Sequence, residues 1–320
     1  MTTHVFISPH FDDVVGSCAG VILRLRRAGH EVRVLTVFGG VERPPFSDVA
    51  SSLHRAWGLD NDVVIARRSE DESACRALDA TAGFLDFPDC IYRTNGSGRH
   101  LYPTFAALTG PADEADLGLA ERIAERLDRL VPAGDAIVYS PAAVGNHVDH
   151  VTTRRAVEML PFGGAPVLYY REFFYERFAD VPPPSRSHVV KLTLQPDEVA
   201  RKISAFTAYR SQIKSLFGND DELRRYFTTS GRIEEVFIPA EVPSALRDDL
   251  VRILGARVGS PRLRMIAQAL SAPSRRWRAA AMRASAGPAG AGLGTRLRRL
   301  VFRKIRLMYG RMHRLSGKQQ

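Results

Sequence analysis

"SPHFDD", residues 8–13, follows directly on the apolar run Val5-Phe6-Ile7. A short apolar run that ends in a polar turn reads as a buried strand. Asp12 and Asp13 stand side by side at its end. Two like charges next to a buried strand are costly without a cation to compensate them. The local alternative is a helix cap, with either carboxylate at the positive end of a helix beginning near Val14.

A second stretch repeats the arrangement. The run AIVYS (136–140) leads into "SPAAVGNHVDH" (140–150), as HVFIS (4–8) leads into SPHFDD. Further β-rich runs are EVRVLTVF (31–38), DVVIA (62–66), PVLYYRE (166–172) and, later, HVVKLTL. Amphipathic stretches lie between them, over 14–28 with Gly29 as C-cap, 69–79 and 113–131. A helix over 197–217 places Val199, Ile203, Phe206, Ile213 and Phe217 on one core-facing stripe. Strands alternating with helices predict an α/β fold, a doubly wound and mostly parallel sheet. Ligands of such sheets bind beyond the carboxyl ends of the strands, where strand order reverses. If the runs at 4–8 and 136–140 are neighbours there, the two polar clusters face one another.

Composition sets the frame. With 320 residues, 45% of them hydrophobic, the chain has material for one large core and an appendage. The net charge of +10 is divided unevenly. Residues 1–249 carry 28 Lys+Arg against 35 acids, a formal charge of −7, whereas 250–320 hold 17 Lys+Arg and no acid. An acidic body over 1–249 thus precedes a basic extension over 250–320, and an anionic partner belongs with the extension. Beyond the low-complexity linker SAGPAGAGLG (285–294), Leu297, Val301, Ile305, Met308 and Met312 share one helical face. That pattern, poor in stacking aromatics, suits an anionic membrane surface or a protein partner better than nucleic acid. A solvated charged extension is the plain alternative. Three cysteines without a CxxC spacing fit a reduced compartment. A strand within four residues of the start leaves no room for a signal peptide's apolar stretch. The expected location is therefore cytoplasmic, peripheral to the inner membrane surface if the extension binds it.

Imidazoles and carboxylates gathered at one crevice suit a borderline metal such as zinc, whose catalytic sites keep three protein ligands and an open position. A dication would compensate Asp12 and Asp13. One carboxylate could then ligate while its neighbour serves as base toward water. His147 and His150 near a helix start would on their own read as surface residues, but the preceding strand and Gly145 favour a site. Asp149 between them is expected to face solvent. His4, His30, His54, His100, His188 and His313 lack partners at useful spacing and read as structural or exposed. Cys18 reads as a packing residue.

"SPHFDDVVGSCAG" resembles the HPDD motif of the PIG-L/LmbE-like zinc N-deacetylases, and "GNHVDH" resembles their downstream HxxH motif. The resemblance implies His10, Asp13 and His150 as metal ligands, Asp12 as general base, and His147 as the group that stabilises the oxyanion or protonates the leaving amine. It implies Zn2+, with Fe2+ as the alternative, and a small-molecule N-acetylated amino sugar as substrate. "RRSED" resembles the family's RxxE helix start and marks Arg67 and Glu70. "FLDFPD" resembles a segment ending in a substrate-contacting aspartate, here Asp89. "KISAFTAYRSQ" (202–212) resembles a later helix. Arg67 also reads as a helix-start ion pair, and Asp89 as a turn residue. Phe11 stands in place of the motif's proline, Val14 in place of an acid, and Tyr209 where a histidine is common. The expectation is a Rossmann-like α/β hydrolase that deacetylates an N-acetylglucosamine-type sugar. The alternatives are an amidase cleaving a larger acyl or thiol conjugate from an aminoglycoside, and a non-catalytic sugar-binding protein.

Overall fold

In the computed structural model the central strand is β1 (Thr3–Ser8), buried over its last five residues. The structure describes residues 1–59, 62–132, 134, 136–173, 186–255 and 257–259. The chain divides into two units, Met1–Val258 and Gly259–Gln320, and the first holds the elements from β1 to the last described helix. The remaining strands are β2 (Glu31–Thr36), β3 (Thr81–Phe84), β4 (Ala136–Pro141), β5 (Val167–Tyr170), β6 (Ser187–Thr193), β7 (Ile233–Pro239) and the short β8 (Arg257–Gly259). They form one sheet of order β3-β2-β1-β4-β5-β7-β6-β8. The pairs from β3 to β5 are parallel, and β7 runs antiparallel to both β5 and β6.

The described helices are α1 (Asp13–Arg27), α2 (Asp48–Trp57), α3 (Val63–Ala77), α4 (Leu119–Leu130), α5 (Val148–Glu158), α6 (Pro196–Phe206), α7 (Arg210–Leu216), α8 (Asp220–Thr228) and α9 (Ser244–Ile253). Successive side chains of β1 point to opposite faces. Val5 and Ile7 meet Ile123 and Leu127 of α4 and Ala156 of α5 in one buried cluster. Phe6 stacks on Tyr139 of β4 with ring centroids 4.1 Å apart. Helix α1 packs against α6.

The chain winds outward from β1 through β2 to β3, then returns to β4 on the other side of β1. Thr3 pairs with Ala136 and Phe6 with Tyr139. Strand order therefore reverses at the β1/β4 boundary, where the fold concentrates ligand binding. Both polar clusters stand at that boundary, as the sequence predicts.

Two expected elements take other forms. DVVIA is not a strand; its residues enter α3, with Val63 and Val64 buried and Ile65 exposed. β-branched residues only weakly disfavour a helix, and one-sided burial outweighs that preference here. The third strand is instead TAGF, a half-exposed edge strand with little apolar signal. The single helix expected over 197–217 is two, α6 and α7, broken at 207–209. All five residues of its predicted stripe are nevertheless buried. Helix α9 runs across residue 249. The linker at 285–294, the amphipathic stretch at 297–312 and most of the Pro-rich stretch at 181–187 lie outside the described residues. Among the described residues no helix is long and apolar enough to cross a membrane.

Candidate active site

The turn after β1 carries His10, Phe11 and Asp12 into α1. Asp12 occupies the N-cap position, but its side chain makes no capping hydrogen bond. Asp13 Oδ2 instead accepts from the backbone N–H of His10 at 2.9 Å. Capping does not account for the two carboxylates.

The loop after β4 delivers the second cluster. Ala143, Gly145 and Asn146 all have positive φ. The left-handed region strains an alanine, so this loop is held by its surroundings rather than by local preference. His147 caps α5: its Nδ1 accepts from the Asp149 N–H at 3.3 Å. A neutral imidazole that accepts at Nδ1 carries its proton on Nε2. His150 follows in the first turn, fully buried.

The two clusters converge. Asp13 Oδ2 lies 3.3 Å from His10 Nδ1 and 3.2 Å from His150 Nε2. The His10 and His147 rings are 5.0 Å apart, and His10 and His150 are 5.3 Å apart. Two ligand atoms of a tetrahedral zinc with bonds of about 2.0–2.1 Å are separated by roughly 3.3–3.4 Å. Each of these two separations is one that a pair of ligands on a divalent cation can take. Among the described residues, the triads whose ligand atoms all lie within 4.8 Å of one another are His10/His147/His150, Cys90/His147/Asp149 and His10/Asp89/Asp149. His10 and His150 thus fall in one such group with His147 rather than with Asp13.

Each predicted imidazole ligand has a buried carboxylate behind it. His10 Nε2 faces Asp149 Oδ2 at 3.1 Å, and His150 Nδ1 faces Glu172 Oε1 at 3.1 Å. Such outer carboxylates fix the ring and raise its basicity toward a metal. Asp149 does not face solvent as expected; it is completely buried. It also accepts from the Cys90 N–H at 2.9 Å and pairs with Arg93 at 2.7 Å. A side chain in the first turn of a short helix can point inward beside the cap, and the His-x-x-His spacing alone gives no sign of that. Glu172 stands just beyond β5, and its Oε2 accepts from the Val144 N–H at 3.3 Å. It was legible by the rule that exposed the other two clusters: a carboxylate past the end of an apolar parallel strand.

Electrostatics follow from the crowding. Burial alone would pull His10 and His150 down, but Asp89, Asp13 and Asp149 hold His10 well above its usual value. Asp13 and Glu172 push His150 up to about 9. Burial drives His147 well below its usual range, with the charge on His10 adding to it, so it stays neutral. Burial also raises Asp12, reinforced by Asp13, while Asp13 itself is held well below the carboxylate range by its histidines against the pull of burial. Asp12, Asp13, Asp89, Asp149 and Glu172 thus outnumber the guanidiniums Arg67 and Arg93 in this region. Protons on His10 and His150 offset part of that excess, and a dication between them would do so in their place.

Asp89 Oδ2 is 3.8 Å from His10 Nε2, and Asp89 Oδ1 accepts from the Ile91 N–H at 3.2 Å. Arg67 is buried with Nη2 3.7 Å from Asp12 Oδ1. The RRSED and YRSQ stretches meet each other. Glu70 accepts from the Ser211 N–H and hydroxyl at 2.9 and 2.6 Å, and Tyr209 donates to Asp71 at 2.5 Å. His54 is buried against the Tyr92 hydroxyl at 2.7 Å, a structural histidine, and Cys18 is buried.

Residues 5–160 match the family model described as PIG-L, GlcNAc-PI de-N-acetylase. A 2′-N-acetylparomamine deacetylase of Niallia circulans is 36% identical over 184 residues, which cover 53% of this chain and 66% of that relative. A protein of the same name from Streptomyces fradiae is 34% identical over 175 residues, 53% of this chain and 57% of its own length. The chain spans slightly less than two thirds of the first relative and a smaller share of the second. Among solved structures, a deacetylase–bog complex from teicoplanin biosynthesis superposes with a TM-score of 0.64 at 29% identity, covering 76% of this chain and 100% of that one. The zinc-inhibited form of teicoplanin deacetylase gives 0.64 at 27% identity with the same coverage.

Proposed function

Residues 5–160 belong to the PIG-L family of GlcNAc-PI de-N-acetylases, and from that premise we propose that this protein hydrolyses the N-acetyl amide of an amino sugar, with zinc held by His10, Asp13 and His150. The observation that carries the reading is the position of Asp13 Oδ2, 3.3 Å from His10 and 3.2 Å from His150 across more than a hundred residues of chain. Relatives named for deacetylation of 2′-N-acetylparomamine and in teicoplanin biosynthesis support an antibiotic-type amino sugar as the substrate class.

A divalent cation held there supplies Lewis acidity toward the amide carbonyl and water. The chain's own residues do the proton work. Asp12, freed from capping and raised by burial, takes the proton of the attacking water. His147, neutral with its proton on Nε2, donates toward the carbonyl oxygen and then to the departing nitrogen. Acetate and a free amine leave. Arg67 and Asp89 contact the sugar. On sequence alone, the acidic body of 1–249 carries the catalysis in the cytoplasm, and 250–320 serve an anionic membrane surface or a protein partner.

The test is Asp12→Asn, assayed for amine release from N-acetylglucosaminides alongside elemental analysis. Turnover is expected to fall about 10²–10⁴-fold, the contribution of a positioned base, while bound metal is unchanged. Undiminished turnover removes Asp12 from the base role.

A further inference from the structure

Among the described residues, Arg67 is a buried cation with no hydrogen-bond acceptor. Its side chain is only 8% exposed, and its Nε has no partner. The Asp12 carboxylate at 3.7 Å is beyond hydrogen-bond reach. What holds the guanidinium is aromatic: its carbon lies 4.6 Å from the Trp57 ring centroid and 5.1 Å from that of Phe11. A guanidinium attracted to ring faces in this way keeps its N–H edges for other acceptors. Leaving the Nε donor unmet in a buried place is costly unless a ligand meets it. Phe11, buried in the turn between His10 and Asp12, ties Arg67 to the catalytic turn. Trp57 is half-buried at the end of α2.

We propose that Trp57 is a positioning residue for the reaction: with Phe11 it clamps the Arg67 guanidinium beside Asp12, so that the spare donors of Arg67 await an oxygen of the bound substrate. This rests on the deacetylase reading given above. It departs from that reading in assigning α2, and one aromatic side chain of it, to substrate recognition. A cation–π contact at this depth contributes substantially more than an exposed one, so its loss lets the long arginine side chain reorient. Binding of substrate then weakens through Arg67, whereas proton transfer by Asp12 and His147 does not depend on Trp57 directly. The expected signature is a raised KM with kcat little changed.

The chain has two tryptophans, Trp57 and Trp277. Replacing Trp277→Phe leaves Trp57 as the only indole, and in that background Arg67→Met is expected to shift its emission. An unshifted emission means the ring and guanidinium are not in contact and overturns the proposal, whatever the activity. In kinetics, Trp57→Leu is expected to raise KM about 10-fold, a change on the scale of one cation–π contact at depth. Trp57→Phe should restore most of the loss. In an Arg67→Met background Trp57→Leu should change KM less than about 2-fold, because its partner is already gone. An equal loss in both backgrounds shows that Trp57 acts through packing alone and rejects the positioning role. If the full chain releases no amine from any N-acetylated amino sugar, the deacetylase reading fails, and Trp57 loses its role in that reaction with it. The emission shift then reports separately whether the clamp itself exists.

Discussion

Two arginines flank this site, equally buried and each between two aromatic rings, yet their donors are used differently. Arg93 lies 5.2 and 5.1 Å from the Phe38 and Tyr102 rings. Its Nε donates to Asp116 at 2.9 Å, and its Nη1 faces Asp149 at 2.7 Å and the Pro88 carbonyl at 3.1 Å. Only Nη2 lacks an acceptor among the described residues. Arg67 has rings at similar distances and no acceptor within hydrogen-bond reach among those same residues. Burial and stacking are shared, so neither explains the difference. Arg93 braces the 88–116 loop against the carboxylate behind His10, a task complete in the folded chain. Under the proposal above, the donors of Arg67 wait for a substrate oxygen.

The comparison predicts unequal outcomes for one substitution. Arg93→Met leaves Asp149 and Asp116 buried without their cation, and breaking such a pair costs about 3–5 kcal/mol. For a body of this size that lowers Tm by roughly 10 °C. Arg67→Met has no hydrogen bonds to lose, only the 3.7 Å contact with Asp12 and the two ring contacts, so a smaller loss is expected. Thermal or urea unfolding of the two variants decides the matter. Comparable losses in both would mean that Arg67 is as structural as Arg93.

A smaller effect is expected from the carboxylates behind the imidazoles. Glu172→Gln keeps the shape that accepts from Val144 but removes the negative charge facing His150. Outer-shell changes of this kind weaken metal affinity about 10–100-fold, and competition against a chelator measures it. If affinity is unchanged, Glu172 belongs with the folding contacts rather than with the site.

The parts of this architecture that could be read beforehand are those tied to local chemistry. Paired carboxylates after an apolar run, and a histidine pair after a similar run, located the crevice, because a parallel sheet puts strand ends together wherever its order reverses. The β1/β4 adjacency required only that the first return of the chain cross to the far side of β1. Asp149, Arg93 and Trp57 were not legible. Their roles come from contacts made far along the chain, and their neighbours in sequence give them ordinary helix-start or loop contexts. DVVIA reads as a strand for the related reason that β-branched content describes a half-buried surface of either kind. TAGF carries little strand signal because an edge strand needs little apolar content. Phe11 and Tyr209, which stand out as departures from the family motif, have counterparts in the structure: one packs on Arg67 and the other holds Asp71.

That last pair gives the finest test of the Arg67 side. Asp71, one helical turn beyond Arg67 on α3, is wholly buried and accepts from Tyr209 and from Thr36 at 3.1 Å. Burial pushes its carboxyl up to about 8, and Asp12 adds to the rise, against the hydrogen bonds and Arg67. The unfolded chain has an ordinary aspartate near about 3.9. Between those values the folded state holds a proton that the unfolded state has released. Stability due to this group is therefore full below about pH 4 and falls as pH rises to about 8. Asp71→Asn cannot titrate, so the wild-type Tm should drop relative to this variant between about pH 5 and pH 8 and run parallel to it above. A difference that stays flat across that range would mean Asp71 is already charged at its lower end. Arg67 would then have a second buried anion one turn away, and its spare donors would need no substrate to explain them.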